Sequence, residues 1–193
     1  MLKRIVIRSY EVGLKFREGE FKRLIGAGTH WIFDPLNKLR VRVVSKRDAW
    51  LVDDQLDVIV KSGALAEKAE VLDLKDYQRA LVWIDGRFAR ILSAGLYAYW
   101  TGVREVRVEV VDSRDVRFEH KDLKSIVRVA EAARLLDICQ VERDHVGVLF
   151  IDGRFVALVE PGLYAFWKDA ADSRVVELDM RESQIDVSGQ EIM

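Results

Sequence analysis

The chain carries very few of the residues that usually reveal a function. Its 193 residues include one cysteine, three histidines and two prolines. The single cysteine, Cys139, excludes an internal disulfide framework and suits a reducing compartment. It stands in an apolar stretch with Leu135, Leu136 and Ile138, where a buried structural thiol is expected rather than a nucleophile. His30, His120 and His145 show no metal-ligand spacing, and there is no cysteine pair, which argues against zinc. The glycines form neither a dinucleotide fingerprint nor a P-loop, so a bound nucleotide is not expected. No run approaches the ~20 apolar residues of a membrane-spanning helix. The basic start, with Lys3 and Arg4 followed by alternating Ile5 and Ile7, reads as a strand rather than a signal peptide. Thirty-one basic residues stand against 32 acidic ones, a net charge of −1. Such a balance gives no general attraction for nucleic acid or an anionic bilayer. A cytoplasmic protein without cofactors is the expectation.

What the chain does have is repetition. Gly19, Gly86 and Gly153 are spaced by 67 residues, and so are Gly28, Gly95 and Gly162. Phe21, Phe88 and Phe155 keep the same step. A period this regular means tandem copies of one small folding unit. Three modules are expected, at 1–70, 71–137 and 138–193, the last of them incomplete.

Each unit reads as antiparallel β structure. Val12, Leu14 and Phe16 alternate with Lys15 and Arg17. Asp85-Gly86 and Asp152-Gly153 lie between apolar runs, a strong hairpin signal because both residues accept positive φ; the first copy has Glu18-Gly19. A second turn is expected at Gly28, Gly95 and Pro161-Gly162, and Pro-Gly suits a type II turn. Alternating strands follow at 39–43 and 106–110, and further strands at 49–53 and 116–119 are expected to close the sheet. Helical spacing appears at 64–72, where residues 65, 66, 69 and 72 are apolar, and again at the alanine-rich 129–136. Residues 122–128 fit a helix or a strand. The fold class is therefore β-rich α+β, with three tandem modules of about 67 residues joined by short helices.

The remaining candidates favour architecture over chemistry. The acidic pair Asp53-Asp54 reads as a solvated loop. Arg47-Asp48, Arg114-Asp115 and Arg181-Glu182 recur in every copy, which favours a turn or an ion pair over three identical active sites. Trp31, Tyr99, Trp100, Phe166 and Trp167 could stack bases only beside a basic groove, which the charge balance does not offer, so core packing is expected for them. No catalytic, cofactor or metal residue is assigned, and the chain is not expected to be an enzyme.

The third copy and the residues after it carry a resemblance. The elements are Glu142-Arg143 before Gly147, Gly153-Arg154, Pro161-Gly162-Leu163, Asp179-Met180-Arg181, and Gln190-Glu191. This series resembles the opening of a band 7 (SPFH) domain, most of all that of the slipin branch of stomatin-like proteins. Arrays of small β repeats leading into such a domain also resemble the wall of the major vault protein. The chain departs from stomatin-like proteins in having no N-terminal hydrophobic hairpin. It stops at Met193, where that family continues into further strands and a coiled-coil helix. The resemblance implies a non-catalytic scaffold that assembles into homo-oligomers, with peripheral or indirect membrane contact and an NfeD-type membrane protease as partner. A protein- or peptide-binding β module and a vault-like cage wall are the alternatives. The strand residues Ile185, Val187 and Ile192 would then mark an edge that pairs with a later strand of a longer chain.

Overall fold

The computed structural model describes residues 2–180. The first copy consists of β1 (Leu2–Ile7), β2 (Glu11–Arg17), β3 (Glu20–Ile25), β4 (Gly28–Phe33), β5 (Leu39–Ser45) and α1 (Leu56–Lys61). The second has β6 (Ala69–Leu74), β7 (Gln78–Ile84), β8 (Arg87–Leu92), β9 (Gly95–Trp100), β10 (Val106–Asp112), α2 (Leu123–Ile126) and α3 (Ala130–Leu135). The third has β11 (Leu136–Val141), β12 (His145–Ile151), β13 (Arg154–Val159), β14 (Gly162–Trp167) and β15 (Ser173–Asp179). Every strand starts 67 residues after its counterpart. In each copy the first and fourth strands form a two-stranded sheet, and the second lies between the third and fifth. The fold is thus β-rich, with three repeated antiparallel modules. The chain divides into two compact units, Met1–Val110 and Val111–Met193, with the boundary inside β10.

The hairpin between the second and third strands is the most regular feature. Its two turn residues have φ of 53° and 87° at Glu18-Gly19, 50° and 76° at Asp85-Gly86, and 50° and 73° at Asp152-Gly153. Two consecutive positive φ values define the type I′ turn, whose twist matches that of the flanking strands. A β-bulge sits at the same place in each hairpin, after Lys15, Val82 and Leu149. Beside it an aromatic pair closes edge to face: Phe16–Phe21 at 5.7 Å, Trp83–Phe88 at 5.2 Å and Phe150–Phe155 at 6.3 Å.

The turn is also tied to the start of the fifth strand. The amides of Glu18, Asp85 and Asp152 donate to the carbonyls of Lys38, Glu105 and Asp172. In two copies the contact is returned: the Glu105 amide donates to the Asp85 carboxylate at 3.1 Å, and the Asp172 amide to Asp152 at 3.0 Å. In the first copy Lys38 reaches Glu18 with its ammonium group instead. Asp85 also receives two hydrogen bonds from Arg104, at 2.6 and 2.9 Å.

Three expectations need correction. The second turn is not type II. Gly28 and Gly95 have φ of 137° and 146°, well beyond the ~80° of that turn, and Gly162 lies outside the left-handed window. These glycines are the first residues of β4, β9 and β14, paired with Ile7, Leu74 and Val141 at the ends of their partner strands. At Gly28 and Gly95 the positive φ favours glycine, and in all three copies a ring folds back over the position at van der Waals distance. A Cβ at Gly95 would meet Tyr97 at 3.5 Å, one at Gly162 would meet Tyr164 at 3.6 Å, and one at Gly28 would meet His30 at 3.6 Å. The same rings bond the carbonyl four residues upstream: Tyr97 to Ser93 at 3.1 Å, Tyr164 to Glu160 at 2.8 Å, and His30 to Gly26 at 3.0 Å. His30 is therefore the first copy's version of a tyrosine lock.

The second correction concerns the first linker. The helix is α1, at Leu56–Lys61, and not 64–72; the latter forms turns and then β6. Gly63, at φ 72°, breaks the helix where the second linker has Ala130. There Ala130, Ala132 and Ala133 have the propensity to start α3. Residues 122–128 resolve as α2 over Leu123–Ile126. The third correction is that the segments after β5 and β10 do not close their own sheets. Each forms a single bridge to the next module, Trp50 to Tyr99 and Arg117 to Phe166.

Two measurements check the hairpin. A Cβ at Gly86 meets nothing within 4 Å, so the cost of a side chain there is conformational alone. Gly86→Val is expected to cost about 1–3 kcal/mol in a denaturant titration, since β-branched residues resist positive φ. A midpoint equal to the parent's refutes the turn. Arg104 and the Glu105 amide hold the Asp85 carboxyl below its usual range. Its folded state thus binds fewer protons than the unfolded chain, so its contribution is present above the ordinary carboxylate value and lost as pH falls through the lower folded value. Asp85→Asn should make stability fall less steeply below about pH 5 in acid titrations. An unchanged slope shows that the contact does not stabilise the fold.

Candidate interaction surfaces

The joint between the first two modules is built by strand addition. Residues 49–51 lie along β9: the Leu51 amide donates to the Ala98 carbonyl at 2.9 Å, and the Trp100 amide to the Ala49 carbonyl at 2.8 Å. This turns the β6–β9 pair into three strands. Residues 116–118 repeat the arrangement on β14, with Phe118 donating to Ala165 and Trp167 to Val116, both at 2.8 Å. The Arg47-Asp48 and Arg114-Asp115 steps lie in the turns that lead into these segments. The side chain at the bridge packs on the tyrosine lock: Trp50 meets Tyr97 edge to face at 6.2 Å, and Arg117 lies 5.0 Å over Tyr164.

A core forms around the first joint. Val12, Leu14, Phe16 and Phe21 of β2 and β3 pack with Leu51, Ile59 of α1 and Leu65, and with Ala98 and Trp100 of β9. On its opposite face the β6–β9 pair contributes Leu74, Leu72 and Tyr97 to a second core, with Ala80 and Val82 of β7 and Leu92 of β8. Each face of β9 thus serves a different module, as the two-residue period of a strand allows. In the second unit Phe118, Ile126 and Ala132 stand one period after Leu51, Ile59 and Leu65, and they too are buried. A cleft of about 310 Å³ beside the first joint is lined by Trp50, Leu56, Leu92, Leu96 and Tyr97, with Asp53 and Arg90 among them.

The repeat makes the exposed surfaces legible. Phe33 holds the position of Trp100, yet Phe33 is 71 % exposed and Trp100 only 2 %. Trp31, in the place of the fully buried Ala98, is 63 % exposed, and Leu2 and Val6 on the paired strand β1 are exposed with it. In the first unit no described segment lies along the outer edge of β4. At the third module the converse surface is open among the described residues. Phe155 is 61 % exposed, whereas its counterpart Phe21 is 8 % exposed. Leu158 and Leu178 are exposed as well, although Leu24 and Val44 at the same positions pack against the joint core.

Of the candidate residues, Tyr99, Trp100, Phe166 and Trp167 are buried, while Trp31 is not, which corrects the expectation of core packing for it. The Tyr99 hydroxyl donates to Glu70 across the strand pair, and burial with that carboxylate pushes it up to about 12, so it stays neutral. Cys139 is half-buried beside the third module's core, and burial raises its thiol, against ready thiolate chemistry. Asp53 is paired with Arg42 at 2.9 Å and accepts from the Gln55 amide ahead of α1, so it is structural; Asp54 is exposed. The His120 ring stacks on Phe118 and accepts from the Asp122 amide, and His145 contacts the Arg143 carbonyl. Among the described residues no group of three His, Cys, Asp or Glu side chains could hold a metal, and no helix is long and apolar enough to cross a membrane. The stretch 181–193, with Arg181-Glu182 and the expected edge strand, lies outside the described residues.

The joint predicts opposite outcomes at one repeat position. Trp100→Ala should cost about 3–5 kcal/mol in a dilute denaturant titration, the usual range for removing a buried aromatic. Phe33→Ala should stay within about 0.5 kcal/mol of the parent. Equal losses at both sites contradict the exposure of β4.

Comparison with protein families, with characterised proteins and with solved structures finds no match for this chain.

Proposed function

We propose that this chain is a non-catalytic scaffold segment, part of a slipin-like band 7 protein that assembles into membrane-associated oligomers. One observation carries the scaffold reading: apolar sheet faces stand open at the first and third modules, at positions that the joint between the first two modules buries. Large exposed apolar patches mark association sites. The link to band 7 proteins and to a membrane rests on the resemblance of residues 142–191. A docking module is the second reading, favoured by the free backbone edge of β4, which can accept an extended peptide.

Sedimentation velocity over a wide concentration range tests the proposal. A scaffold shows a mass that rises with concentration. A chain that remains monomeric at every concentration overturns it, and binding of extended peptides by that monomer then supports the docking reading.

A further inference from the structure

We propose that copies of this chain join head to tail. The β13–β12–β15 sheet of one copy packs on the β1–β4 sheet of the next, repeating between molecules the joint that links the first two modules within one. This proposal rests on the scaffold reading and adds its geometry.

Both halves of the contact are already seen packed together once. In the first unit, the face of the three-stranded sheet with Val12, Leu14, Phe16 and Phe21 packs on the face of β9 with Ala98 and Trp100. Two periods later, Val146, Val148, Phe150 and Phe155 stand at the positions of the first group. One period earlier, Trp31 and Phe33 stand at the positions of the second. The backbones agree as well. The β12–β13 hairpin repeats the register and bulge of β2–β3, and β1–β4 repeats the register of β6–β9. Leu158 matches Leu24, Leu178 replaces Val44, and Phe33 replaces Trp100, so these positions stay apolar, while Arg4, paired with Trp31, stands where the second module has Val71. At Trp31 a bulky ring replaces the methyl of Ala98, while on the other face Val148 replaces Leu14 with a smaller side chain. The free edge of β4 matches the edge of β9 that takes residues 49–51.

A second copy is the occupant because the two open faces are different and complementary. A two-fold dimer pairs a surface with itself, whereas a contact between unlike ends propagates into a ring or a filament.

Complementation between two blocked variants tests the arrangement. Trp31→Glu with Phe33→Glu blocks the β1–β4 face. Phe155→Glu with Leu158→Glu blocks the opposite end. All four sites are exposed, so circular dichroism and the melting midpoint should match those of dilute parent chain. The parent is expected to grow past a dimer as concentration rises. Each blocked variant alone should associate at least tenfold more weakly, and an equimolar mixture of the two should form a 1:1 dimer and nothing larger. If one pair of substitutions prevents folding, Phe33→Cys and Phe155→Cys chains in a Cys139→Ala background serve in its place, and a disulfide between the two different chains is then expected in preference to like pairs. Blocked variants that assemble as the parent does, a mixture that stays monomeric, or dimers held by β4 faces alone each overturn head-to-tail joining while leaving the scaffold reading intact. A parent chain that is monomeric at every concentration overturns both.

Discussion

A two-stranded sheet with two apolar faces cannot be stable alone. Such a sheet has edges on both sides and exposes hydrophobic side chains whichever way it turns. The β6–β9 pair meets this constraint by lying between two three-stranded sheets, its own and that of the preceding module. Residues 49–51 complete the arrangement, because they occupy the edge that would otherwise present unpaired backbone groups. The joint is thus the stabilising element and the copy boundary cuts across it. The β1–β4 pair has the same construction with one side uncovered.

The repeat itself was fully legible in the sequence, because its markers are local. Asp-Gly and Glu-Gly turns and alternating apolar residues fix the strands, and the φ values at Asp85-Gly86 agree with that chemistry. What escaped were features whose cause lies elsewhere in the chain. Residues 49–51 have the composition of a strand, but nothing local states that their partner is Tyr99 rather than β5. Gly95 resembles a turn glycine, yet it opens β9 at a φ of 146°, paired with Leu74 of a strand about twenty residues earlier. The true helix α1 spans six residues, too few for periodicity to stand out. Trp31 has the apolar character of a core residue, yet burial depends on which module stands next to it.

Recurrence also separates architecture from chemistry. The tyrosine lock shows the principle: at its first occurrence the ring is a histidine, and His30 makes the bond that Tyr97 and Tyr164 make. A residue that looks like a functional singleton is thereby accounted for by geometry. The same holds for the carboxylates at 18, 85 and 152, each bound to the start of the fifth strand or to a residue beside it.

The core around the joint joins Val12 to Trp100. For a chain made from its N-terminus, this sets an order of events. Strands β2 and β3 can form their hairpin as soon as they emerge, since their contacts are local. Their apolar face must then wait, uncovered, until the whole of the second copy's fourth strand has been synthesised. Closing such distant contacts is slow compared with local hairpin formation, and an uncovered apolar face is open to wrong partners in the interval. A nascent copy of this protein therefore spends part of its synthesis displaying the surface that its finished first unit conceals.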